Sequence, residues 1–138
     1  MAAEVFVDAG VWFAAANPKD RDHQASAGAM REAAAEGLRP VTTNLVVAEA
    51  HALLVHRVHR TAALAFLRRV RAAPLVLVTS TPEREDRAIR DWIERYDDQA
   101  FSLTDAVSFT VMKERGIQDA LALDRHFGVA GFRIRPGP

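Results

Sequence analysis

The run LVLVT at residues 75–79 is apolar and branched without a break, as a strand buried on both faces should be. Two more short runs of the same character, VFV at 5–7 and ALAL at 120–123, lie far from it, with stretches of helical pattern between them. Short apolar strands separated by helices predict an α/β fold, a three-layer α/β/α sandwich with a mainly parallel central sheet and helices on both faces. Sheets of this kind bind ligands beyond the carboxyl ends of their strands.

The remaining elements fit that frame. Residues 10–16 read as a helix interrupted at Asn17-Pro18, and residues 20–36 as a second helix stopped by Gly37. Pro40 to Thr43 is a strand leading through Asn44, an expected N-cap, into an apolar helix from Leu45 to about Val58. Arg60 to Ala72 is a further helix ended by Pro74. Thr81-Pro82-Glu83 opens a charged helix to about Arg95, with Ile89, Trp92 and Ile93 expected inward. A helix from about Thr104 to Arg115 stops at Gly116, and a last strand is expected at Phe132 to Arg135.

At 138 residues, 49% apolar and 26% charged, the chain reads as one globular domain, residues 1–138. Its formal net charge of zero argues against a generic polyanion-binding tail, so any nucleic-acid contact must be local. The basic residues are 16 Arg and two Lys, a bias that suits bidentate phosphate contacts and that a GC-rich genome also produces. The absence of Cys excludes disulfides, thiolate zinc sites and cysteine nucleophiles. MAAEVF carries no signal pattern and no apolar run approaches the roughly 20 residues of a membrane span, so a cytoplasmic protein is expected.

Four acids stand where solvated acids have no reason to be. Asp8 and Asp124 each close an apolar run, which places both at the carboxyl edge of the expected sheet. Glu49 has Leu45, Val46, Ala52 and Leu53 as its helical neighbours, so it is expected either to snorkel at a boundary or to be held inside by a partner. Asp105 lies in the first turn of its helix, where Ser102 and Asp105 fit a capping box. Taken singly, each acid has a structural explanation, as a strand end, a boundary residue or a cap. Together they map to one edge of one sheet. At 4 Å and an effective dielectric near 20, each like-charged pair would repel by about 4 kcal/mol. Protons or cations must neutralise such a cluster, and hard divalent ions such as Mg²⁺ or Mn²⁺ suit carboxylate and water ligands.

FVDAGVW at 6–12, TTNLVVAE at 42–49, SLTDAVSF at 102–109 and ALALDRHF at 120–127 resemble, in order and spacing, the four acidic motifs of the PIN domain. More narrowly they resemble the VapC-type toxins of toxin-antitoxin pairs. The resemblance implies a metal-dependent ribonuclease whose catalytic and metal-binding quartet is Asp8, Glu49, Asp105 and Asp124, working with one or two Mg²⁺ or Mn²⁺ ions. Thr104 matches the hydroxyl residue that commonly precedes the third acid. Ala9 departs from the pattern, which often has Thr or Ser after the first acid. Gly10 is expected to let the backbone approach metal or phosphate. An RNA substrate, a cognate antitoxin and a homodimer are the implied partners. Trp12 and Phe13, if exposed, would suit such protein contacts, and core packing would explain them equally well.

Two other enzymes of similar fold fail on spacing. A haloacid-dehalogenase-type phosphatase needs D-x-D where Gly10 stands, and a receiver domain needs an Asp where Ser80 and Thr81 follow LVLVT. The rival from another class is a PIN-like module that holds RNA or protein without cutting. HRVHR at 56–60 reads as a solvated helix end; a zinc site there would need further ligands at suitable spacing, which the sequence lacks. His23 is open to either reading, and Arg125 and His126 adjoin Asp124 and could touch substrate. Asp97, Asp98 and Asp119 read as loop acids, with Asp119 at the wrong end of its strand for the site.

Overall fold

A computed structural model describes residues 3–138; the first two residues of the MAAEVF N-terminus lie outside the described part. Its frame is a sheet of five strands, β1 (Glu4–Val7), β2 (Arg39–Thr43), β3 (Val76–Val78), β4 (Asp119–Ala122) and β5 (Arg133–Pro136), in spatial order β3-β2-β1-β4-β5. Every pairing is parallel, so the expected mainly parallel sheet is wholly so. Chain order runs outward from β1 to β2 and β3, then returns to the other side of β1 for β4 and β5. The crevice between the ends of β1 and β4 is the switch point where open sheets of this kind hold ligands.

Strand alternation builds the two helical layers. On one face Val5 and Val7 of β1 line an apolar groove with Trp12, Ala33 and Leu121, beside helices α1 (Ala9–Ala16) and α2 (His23–Ala35). On the other, Phe6 packs toward Phe127 at 5.9 Å, and Phe127 meets Phe109 edge-on at 4.9 Å. Phe109 belongs to α6 (Leu103–Arg115), a helix buried without a break from Ala106 to Met112. Gly116 ends it with φ +67°, the left-handed conformation that a C-terminal glycine adopts without strain.

The remaining connections are α3 (Asn44–Arg57), α4 (Arg60–Arg69), α5 (Pro82–Ala88) and the short α7 (His126–Val129). Residues Ile89–Glu94, expected to continue α5 as ordinary helix, form a π-helical turn. The wider turn changes which side chains face inward. Trp92 is buried and stacks on Tyr96 at 5.5 Å, whereas Ile89, expected inward, is exposed.

Other local expectations shift by a residue or a face. Thr43, rather than Asn44, is the N-cap of α3 and accepts from the Val46 N–H at 3.2 Å. Asn44 instead accepts the Ser80 N–H at 2.7 Å, tying the start of α3 to the loop after β3. Trp12 and Phe13 are buried, only 2% and 8% exposed, so neither offers an exposed contact. Trp12 donates to the Thr42 hydroxyl at 3.4 Å, and Thr42 donates to the Val7 carbonyl at 3.0 Å. This chain of bonds fixes the carboxyl ends of β1 and β2. Among the described residues no helix is long and apolar enough to cross a membrane.

Candidate active site

Asp8 leaves the sheet where β1 ends. Its N–H donates to the Leu121 carbonyl of β4 at 2.9 Å, and its own carbonyl accepts from Trp12 N–H at 3.2 Å as α1 begins. By backbone geometry Asp8 is the N-cap of α1, the position where an aspartate side chain ordinarily accepts an N–H from the first turn. Here it makes no cap bond. The residue is only 7% exposed, and its Oδ1 is buried without any hydrogen-bond partner. Neither a turn nor a cap accounts for a carboxylate left in that state. The cost of an unpaired buried carboxylate appears as a pKa pushed up to about 7, chiefly by burial. The adjacent Ala9 N–H dipole opposes the rise, and the charges of Asp105, Asp124 and Glu49 add to it.

Those three charges come from three other elements. Glu49 lies on α3, and its pKa is raised by local burial of the carboxyl and then by Asp105 and Asp124. The residue as a whole is exposed, together with Ala48 and Ala52, so of the two expected places it takes the boundary and is not held inside the stripe. The apolar pattern misleads because alanines occupy the exposed positions of this helix. Asp105 forms the expected capping box: it receives the Ser102 N–H at 3.2 Å on Oδ2, while its own N–H donates to the Ser102 hydroxyl at 3.0 Å. Asp124 follows β4 and accepts the His126 N–H on Oδ1 at 2.9 Å.

Capping and charge clustering therefore coexist at Asp105. Its Oδ2 is engaged by protein donors, and so is Oδ1 of Asp124; each acid keeps its second oxygen without a hydrogen bond among the described residues. Asp8 likewise keeps Oδ1. Among the described residues no Lys or Arg forms an ion pair with any of the four acids. No three carboxylate or imidazole groups among them converge into a ready-made metal cage either. That arrangement suits a hard ion held through one or two carboxylates and its own waters better than a close-fitting all-protein site. The spare oxygens supply the hard donors such an ion takes.

The other residues singled out by sequence fall into place. Gly10 is the second residue of α1, and a methyl group there would meet Leu123 at 3.6 Å, an ordinary contact; no close approach demands glycine. Thr104 gives its carbonyl to the Ser108 hydroxyl at 2.8 Å, and its own hydroxyl makes no hydrogen bond among the described residues. His23 bonds the Ala14 carbonyl through Nδ1 at 2.8 Å, a structural role closing α1 onto α2. His59 caps α4 by accepting the Ala62 N–H at 3.1 Å. Asp97 and Asp98 are exposed in a loop, and Asp119 pairs with Arg133 at 2.7 Å at the opposite edge of the sheet. The sequence does not reveal that the His126 ring reaches Asp105, at 3.0 Å from Nδ1 to Oδ2. Only its adjacency to Asp124 hinted at a place in the site.

The PIN domain family model matches residues 5–132, a span that begins within β1 and contains all four acids. The chain belongs to the PIN domain family. It is 35% identical over 133 residues to VapC20 of Mycobacterium tuberculosis, a 23S rRNA-specific endonuclease, covering 96% of this chain and 98% of the relative. The crystal structure of that protein, described as a Sarcin-Ricin loop cleaving toxin, superposes with a TM-score of 0.84 at 33% identity, over 94% of this chain and 96% of its own. FitAcB from Neisseria gonorrhoeae matches at a TM-score of 0.61 and 11% identity over 94% and 95% of the chains, a likeness of fold alone. By family this is a VapC-type ribonuclease, a hydrolase, and nucleases of the family generally use a divalent metal.

Proposed function

We propose that residues 1–138 act as one PIN-like domain that hydrolyses RNA phosphodiester bonds with Mg²⁺ or Mn²⁺, as the toxin of a toxin-antitoxin pair. The observation that carries this reading is Asp8: a buried aspartate at the N-cap position that makes no cap bond, keeps an oxygen without a partner and faces three further acids that no Lys or Arg pairs with among the described residues. VapC20 acts on 23S rRNA, which makes ribosomal RNA the first substrate to test. A cognate antitoxin and a homodimer complete the proposal, by analogy with toxins of this type.

Asp8 and Asp105 are assigned as principal ligands, Asp124 as a ligand directly or through water, and Glu49 as a ligand or the base that orients water. When bound, a divalent cation supplies Lewis-acid stabilisation of phosphoryl charge and activates water for attack. The protein's part is to leave carboxylate oxygens without hydrogen bonds at the carboxyl edge of the sheet and to keep Asp8 from bulk solvent. Glu49 and Asp124, the two exposed acids, are open to proton exchange with water, whereas Asp8 is not. Gly10 gives α1 a side without a protruding chain, and Thr104 offers a free hydroxyl beside Asp105.

The test is cleavage of ribosomal RNA by the purified protein in Mg²⁺, Mn²⁺ and EDTA. Cleavage in either metal and none in EDTA is expected. Tight RNA binding without cleavage in either metal would favour the binding module instead, a reading that Ala9 allows because it supplies no hydroxyl beside Asp8.

A further inference from the structure

We propose that His126 is a positioning residue that sets the mutual placement of Asp105 and Asp124; this rests on the four-acid reading above. Asp105 comes from the first turn of α6, and Asp124 from the turn between β4 and α7. His126 bonds to both. Its backbone N–H donates to Asp124 Oδ1 at 2.9 Å, and its ring Nδ1 lies 3.0 Å from Asp105 Oδ2. An ionised carboxylate only accepts, so the ring proton belongs on Nδ1.

The ring's orientation is set by packing as well as by that bond. It stands edge-on to Phe101 at 5.4 Å with an interplanar angle of 82°, and Phe101 in turn packs edge-on against the core residue Phe109 at 5.0 Å. His126 and Ser102 both bond Asp105 through Oδ2, which leaves Oδ1 as the oxygen available to an ion. On Asp124 the same residue engages Oδ1 and leaves Oδ2. One residue thus joins the two acids, its ring with Ser102 on Asp105 Oδ2 and its backbone on Asp124 Oδ1. Partners of this kind behind metal ligands typically change metal affinity by about 10- to 100-fold when removed.

A substitution pair separates positioning from packing. His126→Phe keeps an aromatic ring against Phe101 and deletes the donor, while His126→Asn keeps a donor near Nδ1 and loses the ring. Mn²⁺ affinity is measured by electron paramagnetic resonance of the free ion, without RNA, and melting temperature is measured in EDTA. The expected result is an affinity weakened about 10-fold or more in His126→Phe, with melting in EDTA within a few degrees of the parent, and recovery of most of the affinity in His126→Asn. In cleavage assays the Mn²⁺ requirement of His126→Phe rises, and kcat at saturating Mn²⁺ returns toward the parent value.

Wild-type Mn²⁺ affinity in His126→Phe, or affinity in His126→Asn no better than in His126→Phe, would overturn the assignment. Asp8→Asn serves as the reference. If it retains parental Mn²⁺ binding and cleavage, the four-acid reading itself fails. If it loses both while His126→Phe loses neither, only the role of His126 fails.

Discussion

Glu4 and Asp8 lie four residues apart at opposite ends of the same strand, and their surroundings are opposite in kind. Glu4, at the amino edge of the sheet, is held by Arg39 at 2.7 Å and by Arg115 at 2.9 Å. The Arg115 hydrogen bond is the main reason its pKa falls, with Arg39 adding to the effect against some desolvation. Asp119 and Glu36 are paired with Arg133 and Arg135 in the same region. At the carboxyl edge Asp8, Glu49, Asp105 and Asp124 have no guanidinium partner, and the pKa values of Asp8 and Glu49 rise. One edge uses acids paired with arginines to hold the chain together; the other keeps them apart from any guanidinium, with the His126 ring against Asp105 as the one basic group in contact, at a cost in stability. A cation is wanted at the carboxyl edge, where no guanidinium balances the acids.

The two edges should differ most in their effect on activity. Asp8→Asn or Asp105→Asn should lower RNA cleavage by roughly a thousandfold or more, about 4 kcal/mol of transition-state stabilisation, whereas Glu4→Gln should leave the rate unchanged. A time course on ribosomal RNA with all three variants checks this, and a Glu4→Gln defect equal to the aspartate variants would remove the distinction between the edges.

The next effect is on stability against pH. Folding raises the Asp8 pKa from 3.8 to about 7, so between those values the folded protein binds more protons than the unfolded chain. Metal-free stability from this group is therefore fully present below pH about 4 and is lost as the pH rises toward 7, the reverse of an ion-paired aspartate. The span corresponds to a loss on the order of 4 kcal/mol, and the rise at Glu49 acts in the same direction. Urea denaturation in EDTA at several pH values should show this decline in the parent, and much less of it in Asp8→Asn. A slope unchanged by that substitution would contradict the cause assigned here.

The smallest effect is at the amino edge. Glu4→Gln should destabilise the protein by about 1 kcal/mol, the scale of a part-buried ion pair, with no change in metal affinity. Denaturation and Mn²⁺ titration of that single variant sharpen the contrast.

Much of this division was legible in the sequence because apolar runs that close on Asp identify both the strands and the edge. VFV and ALAL gave β1 and β4, and Ser102 with Asp105 gave the cap of α6. What was not legible depended on distant partners. The alanines of α3 look apolar in a periodic pattern, yet Ala48 and Ala52 are exposed beside Glu49, since alanine carries too little surface to demand burial. Trp12 is buried by residues distant in sequence, Thr42 and Phe66 among them. Likewise nothing in Asp124-Arg125-His126 announces a bond to a residue 21 positions earlier. The bond exists because β4 brings α7 beneath the first turn of α6.

The most direct measurement of the central claim is thermal melting of the parent and Asp8→Asn in EDTA and in Mn²⁺ at neutral pH. A cation that binds only the folded site at a hundredfold excess over its Kd stabilises by about 2.7 kcal/mol, a rise of several degrees for a domain of this size. The parent should show that rise and Asp8→Asn should not. An equal rise in both proteins, or none in the parent, would contradict a divalent-cation site at the carboxyl edge.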